Sequence, residues 1–192
     1  MPAPNQAALD FLQTRRSRPA KTLAAPVPDE TVLRTLLTIA ARTPDHGKLE
    51  PWRFLVLEKP ALERLAGMVR DRGIAQDMDV EQVEKAVRQY ADADLAVAVV
   101  SSPKPSAKVP EIEQVLSAGA VCYGLLAAAL AAGWGANWLT GWASFDREIV
   151  EPGLGLKSHE FIAGFIHIGT ETFAPPERPR PAVESITQWV RA

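Results

Sequence analysis

Val115-Leu-Ser-Ala-Gly-Ala-Val-Cys-Tyr-Gly-Leu-Leu-Ala-Ala-Ala-Leu-Ala-Ala132 is the stretch whose reading decides the fold. It lies inside a longer run, Gln114 to Phe145, that holds no charged residue. By length and hydropathy it qualifies as a transmembrane span. Three features favour a buried helix instead. Small residues dominate (Ala118, Gly119, Ala120, Gly124 and Ala127 to Ala129), no basic cluster flanks either end, and the other helical segments are ordinary amphipathic ones. The segment therefore reads as a core helix, apolar all round, whose small side chains would let another backbone approach closely, as at a subunit interface.

Working outward, Asp94-Leu-Ala-Val-Ala-Val-Val100 is an apolar run of strand length and β-branched composition, predicted to be a central strand. Ser101 to Pro110, with three prolines and two lysines, is a loop. Upstream, Val80, Val83, Val87 and Tyr90 keep helical spacing, and Pro60 opens a helix with Leu62, Leu65, Ala66 and Val69 on one face. Trp52 to Leu57 is a short strand. Asp29 caps a helix striped by Val32, Leu33, Leu36, Leu37 and Ala40, and Asn5 caps a first helix with Ala8, Leu9 and Leu12 on one side. Downstream, a strand is expected over Trp134 to Ala143, a short helix over Asp146 to Val150, and a strand apolar on both faces over Phe161 to Ile168. The tail from Pro175 to Pro181 holds four prolines, and Ile186 and Trp189 beyond it have no evident partner within so extended an arm. Such an arm suits wrapping a neighbouring subunit.

Twenty-one basic residues against 23 acidic ones leave a net charge of -2, so no global field draws the chain to nucleic acid or an anionic membrane. Cys122 is the only cysteine, which excludes an internal disulfide and a thiolate metal cluster and suits a reducing compartment. The first residues place their basic side chains after the apolar ones and do not read as a signal peptide, so a cytoplasmic protein is expected. His46, His159 and His167 have no second His or Cys at ligand spacing, and His167 inside an apolar strand reads as a satisfied core histidine.

No Gly-x-Ser-x-Gly elbow and no P-loop occurs, and Gly133-Trp-Gly135 lacks the third glycine of a dinucleotide fingerprint. Any phosphate must then be held by side chains. Arg15-Arg16-Ser17, at the end of the first helix, offers two bidentate donors and a hydroxyl, although cations there equally complement the helix macrodipole. A second constellation, Arg42-Thr-Pro-Asp-His46-Gly-Lys-Leu-Glu-Pro51-Trp52, gathers cations and an imidazole in a loop before a strand, and reads either as a site or as a solvated charge face. The third, Gly135-Ala-Asn-Trp138-Leu-Thr140-Gly141, sets a ring and backbone amides between glycines where a planar ligand can approach, or is simply a core strand.

In this order the three segments, with the Ser117-Ala118-Gly119 start of the Ala-rich helix and the Gly164-Phe-Ile-His-Ile-Gly169 strand, resemble the nitroreductase family, most closely its short YdjA-like branch. The resemblance covers nearly the whole chain. It implies an α+β fold with a small, mostly antiparallel sheet between helices, one domain over residues 1–192, and an intertwined homodimer whose arms, from about residue 172, embrace the opposite subunit. It further implies FMN as cofactor, NAD(P)H as electron donor and a small acceptor such as a nitroaromatic or quinone, served in ping-pong order. Arg15, Arg16 and Ser17 would hold the phosphate and ribityl chain, Arg42 and His46 would reach in from the other subunit, and Trp138, Leu139 and Thr140 would line the isoalloxazine ring. A flavin-fold binding or regulatory protein without turnover is the alternative. Two departures stand out. Pro19 replaces a cation common two residues after the serine, leaving Arg18 or Lys21 to serve flavin N1, and Glu50 replaces the Gln usual before Pro-Trp, with Lys48 nearby to pair with it.

Overall fold

Polar caps set where the chain turns helical. In the computed structural model, which describes residues 3–191, Asn5 accepts the Ala8 amide and opens α1 (Gln6–Thr14), and Asp29 accepts the Val32 amide at the head of α2 (Glu30–Ala40). Pro60 lies in the first turn of α3 (Lys59–Ala75), where its missing N–H is no loss, and Asp79 caps α4 (Val80–Ala91). The Ala-rich segment forms α5 (Glu111–Ala131) directly behind Pro110. Asp146 caps α6 (Arg147–Leu154), which ends on Gly155 in the left-handed conformation, φ 66°.

Five strands form one sheet: β1 (Leu23–Ala24), β2 (Trp52–Glu58), β3 (Leu95–Ser101), β4 (Gly135–Leu139) and β5 (Phe161–Glu171). Every pairing is antiparallel, β2 with β3, β3 with β5, and β5 with both β4 and β1. The run expected to be central is so, since β3 is buried along its whole length between β2 and β5. Its alternation serves two cores. Ala96, Ala98 and Val100 pack with Phe165 against Leu62, Leu65, Val69, Val87 and Tyr90 of α3 and α4, where the Tyr90 and Phe165 rings meet edge to face at 5.4 Å. Leu95, Val97 and Val99 pack with Ile166 and Ile168 against Leu36, Ala40, Val121, Leu125 and Ala129 of α2 and α5. A small antiparallel sheet between two helical layers is the expected α+β arrangement.

Four expectations need correction. β4 ends at Leu139 rather than Ala143, because the Ser144 hydroxyl accepts the Gly141 amide and folds residues 142–144 into a short turn. The helix after Asp146 runs past Val150 to Leu154 and carries Pro152 inside it. α5 is long and apolar enough to cross a membrane, yet it is not covered on all sides: half of its apolar window is buried, and Ile112 and Leu116 remain 61% and 65% exposed. His167 is buried as expected but not satisfied, since neither ring nitrogen has a partner. Its burial lowers its pKa from 6.5 to about 4, which keeps the imidazole neutral at pH 7.

Beyond Glu171 the chain runs over the surface, with Ile186 and Trp189 71% and 79% exposed.

Candidate functional site

The end of α1 delivers a cationic segment to the edge of β4. The Arg15 amide still bonds back to Phe11, and the chain then extends so that the Arg18 amide donates to the Ala136 carbonyl at 2.8 Å while Asn137 Nδ2 donates to the Arg18 carbonyl at 2.5 Å. These bonds hold the first and third sequence constellations together within one chain. Arg15 Nη2 lies 3.5 Å from Ser17 Oγ, and Arg16 Nη1 donates to the Ser17 carbonyl at 3.3 Å. The Nε atoms of both Arg15 and Arg16 are buried and have no hydrogen-bond partner among the described residues. An orphaned guanidinium N–H costs free energy until an acceptor arrives, and an anion is the acceptor it favours. Arg18 is committed elsewhere, its Nε 2.9 Å from Glu171. Lys21 is exposed.

Trp138 supplies a flat wall beside this segment. Its indole crosses β5 at Gly164, where an added Cβ would sit 2.0 Å from Nε1, so only a glycine admits the ring in that pose. Nε1 donates to the Ala163 carbonyl at 3.2 Å and fixes the ring's orientation. Between this ring and α5 opens a cleft of about 470 Å³, lined by Val115, Gly119, Trp138, Thr140, Phe145 and Phe161 among others, none of its lining residues charged. Leu139, one residue on from Trp138, points to the opposite face of the strand and is partly buried.

Arg42 and His46 occupy a different place. Ser117 Oγ donates to the Pro44 carbonyl at 2.8 Å and accepts from Trp52 Nε1 at 3.1 Å, which ties the loop to the start of α5. His46 Nδ1 lies 2.7 Å from Glu113, and Arg42 is exposed just past the end of α2. Lys48 and Glu50 both take left-handed backbone, φ 55° and 48°, a conformation stabilised here by the Asp45 carboxylate accepting the Glu50 amide at 2.7 Å. Among the described residues no ion pair joins Lys48 to Glu50.

Helical geometry turns these contacts into a map. At about 3.6 residues per turn, Val115, Gly119 and Tyr123 share one flank of α5, the flank facing Trp138 and Arg15. Glu113, Ser117 and Gly124 share another, facing the 42–48 loop and α2. Ile112, Leu116 and Ala120 form the exposed ridge between them. One chain thus anchors the segment that carries Arg15, Arg16 and Ser17 through Arg18 to Ala136 and Asn137, on the strand that carries Trp138 and leads to Thr140, and leaves Arg42 and His46 across the ridge.

The nitroreductase family model matches residues 12–170, which takes in both flanks. The chain belongs to the nitroreductase family. It is 34% identical over 163 residues to YdjA of Escherichia coli strain K12, provisionally named as an NAD(P)H nitroreductase, covering 85% of this chain and 87% of that one. A Haemophilus influenzae relative with the same provisional name is 35% identical over 165 residues, covering 85% and 88%. Among solved structures, a nitroreductase-like family protein from Bacillus cereus superposes with a TM-score of 0.80 at 19% identity over 100% of both chains. A provisionally named nitroreductase from Desulfovibrio desulfuricans, solved in complex with FMN, gives 0.72 at 22% identity over 100% of both.

Within this nitroreductase-family frame, sequence reading gave no site role to Phe145, which lines the cleft, or to Tyr123, which faces Arg15, and it named Gly119 and Gly164 only as parts of motifs. Gly119 and Tyr123 stand four apart on one helix, a spacing that puts them on a shared flank, but an Ala-rich helix gives no cue as to which flank faces a cleft. The Gly164 requirement was invisible because it depends on a ring from a neighbouring strand.

Proposed function

We propose that the chain is an FMN-dependent NAD(P)H oxidoreductase, working as a cytoplasmic homodimer of single-domain subunits. The observation that carries this reading is the pair of buried, unpartnered Arg15 and Arg16 Nε atoms beside an uncharged cleft walled by Trp138. These residues fit the group: fixed cations for a dianionic phosphate, and a flat apolar wall for a tricyclic ring. The names of the relatives and the FMN complex of the Desulfovibrio protein point the same way.

When bound, FMN would supply the redox chemistry at this site, hydride transfer from NAD(P)H through flavin N5 to a small acceptor such as a nitroaromatic or quinone, in ping-pong order. The protein's part is placement. Arg15, Arg16 and Ser17 would hold the phosphate and ribityl chain, Trp138 and Thr140 would border the ring, and Leu139, whose side chain lies on the opposite face of the strand, would contribute its backbone alone. Arg42 and His46 complete the site of the partner subunit. The apolar ridge of α5 supports this division, because two such ridges packed together would bring the 42–48 loop of one subunit toward the Trp138 flank of the other. The arm from about residue 172 to 192 embraces the opposite subunit with Ile186 and Trp189 as its apolar contacts.

The test is the visible spectrum of the purified protein under anaerobic conditions. Yellow colour, bleaching on NADPH addition and recovery on addition of a quinone are expected. Colour that NADPH leaves unchanged points to a flavin-binding protein without turnover, and a colourless protein that takes up no FMN refutes the reading. Arg15→Ala is expected to give folded but largely colourless protein.

A further inference from the structure

The phosphate role given to Arg15 leaves open what fixes this side chain, since among the described residues its guanidinium makes one hydrogen bond, a long one to Ser17 Oγ. The guanidinium carbon lies 5.5 Å from the centroid of the Tyr123 ring, within the range of a cation–π contact. Tyr123 stands on α5 one turn beyond Gly119, which itself lines the cleft, and the residue is 42% exposed. A rigid helix thus carries a ring to the underside of a cation that otherwise hangs on a flexible stem at the end of α1.

From this geometry we infer that Tyr123 is a positioning residue for the cofactor phosphate: its ring is the shelf on which the Arg15 guanidinium rests, so that the guanidinium edge faces the anion. The inference rests on the phosphate reading above and goes beyond it. A guanidinium with its face against a ring keeps all its N–H groups in its own plane and free for an oxyanion, whereas a carboxylate partner in the same place would consume them. Among the described residues, no carboxylate lies within ion-pairing distance of Arg15. The ring therefore orients the cation without neutralising it. Holding one rotamer-rich side chain in place before binding removes an ordering cost that would otherwise be subtracted from affinity.

What matters is the face of the ring and not its hydroxyl. Tyr123→Phe is expected to bind FMN as the parent protein does. Tyr123→Leu keeps helix propensity and apolar bulk but removes the π face, and is expected to weaken FMN binding about threefold or more. Riboflavin, which lacks the phosphate, separates positioning from packing. Its affinity is expected to be the same for Tyr123→Leu and the parent, and in an Arg15→Ala background Tyr123→Leu is expected to cost nothing further for FMN.

The experiment is fluorescence titration of flavin-free protein with FMN and with riboflavin across these variants, with thermal unfolding as the check on folding. Equal losses for FMN and riboflavin would show a structural role and overturn the inference, as would a loss below threefold for FMN, loss in Tyr123→Phe, or a further loss on top of Arg15→Ala. The two readings fail differently. If Arg15→Ala itself leaves FMN affinity intact, the phosphate placement is wrong; if it abolishes affinity while Tyr123→Leu does nothing, only the shelf is wrong.

Discussion

Gly119→Ala should stabilise the protein and damage its cofactor site at the same time. Gly119 lies inside α5, and a Cβ built there meets nothing within 4 Å. In a helix interior Ala is favoured over Gly by about 1 kcal/mol, which for a chain of this size corresponds to a rise in Tm of roughly 2–4 °C for flavin-free protein. The same Cβ projects into the cleft of about 470 Å³ facing Trp138, where a ring packed against the bare helix would be pushed outward by about a carbon–carbon bond length. Overpacking of that kind costs about 1–3 kcal/mol, so FMN affinity should fall roughly tenfold. Gly67→Ala is the control, because Gly67 is helical in α3, also has nothing within 4 Å of an added Cβ, and lies outside the lining of the cleft. It should raise Tm alone. The measurements are thermal unfolding of the flavin-free proteins and fluorescence titration with FMN. If Gly119→Ala were stabilised yet bound FMN as tightly as the parent, the ring would not lie against this flank. A destabilised Gly119→Ala would mean that the flank is closed, and the cleft argument would fail with it.

Other consequences follow from single residues. Gly164→Ala forces the Trp138 indole off β5, since its Nε1 would lie 2.0 Å from the new Cβ; loss of the bond to Ala163 should cost about 1 kcal/mol in urea unfolding and change the near-ultraviolet circular dichroism of tryptophan. His167 must stay neutral in the fold, with a pKa of about 4 against an ordinary 6.5, so the unfolded chain takes up the proton first as pH falls. Stability should then decline between about pH 6.5 and 4 by at most roughly 3 kcal/mol, and His167→Phe, measured by urea unfolding at several pH values, should abolish that part of the slope. Glu160 acts further down: the Arg53 guanidinium at 2.7 Å holds its carboxyl at about 2 against an ordinary 4.5, so the stability it contributes is complete above about pH 4.5 and lost as pH falls toward 2. Arg53→Met should remove that protection, and a Glu160→Gln variant, which has no charge to protonate at this site, should lose this part of the decline and keep the part due to other carboxylates such as Asp146. Ending the chain at Thr172 removes Ile186 and Trp189, and size-exclusion chromatography with light scattering should show weakened self-association if the arm embraces a partner.

The elements that sequence made legible are those whose signal is local. Asn5, Asp29 and Asp146 announce helix starts because each accepts an amide within its own first turn, and the apolar run of β3 announces burial on both faces because nothing polar interrupts it. The signals that failed depend on another segment. The length of β4 turns on Ser144 accepting the Gly141 amide, and the want of a partner for His167 depends on which side chains the sheet and helices bring up to it. The adjacency of Arg15–Ser17 to Trp138–Thr140 lay in no composition or period; it came only through the resemblance, and in the folded chain it is made by two backbone-anchored bonds at Arg18.

Arg18 shows why the cation question cannot be settled by counting residues from the serine. Pro19 fixes the backbone after Arg18, whose carbonyl and amide are both spent on β4, and its side chain is drawn to Glu171 at the end of β5. With that pairing the guanidinium links the phosphate segment to the strand that leads into the arm. Its charge is balanced locally, so a carboxylate removal such as Glu171→Gln would free a cation next to the proposed site. The freed charge would favour an anionic reduced ring over the neutral oxidised one, and the reduction potential of bound flavin should shift upward. An unchanged potential would place Arg18 too far from the ring to act on it, and would leave Lys21 or a cation from the partner's 42–48 loop to serve flavin N1.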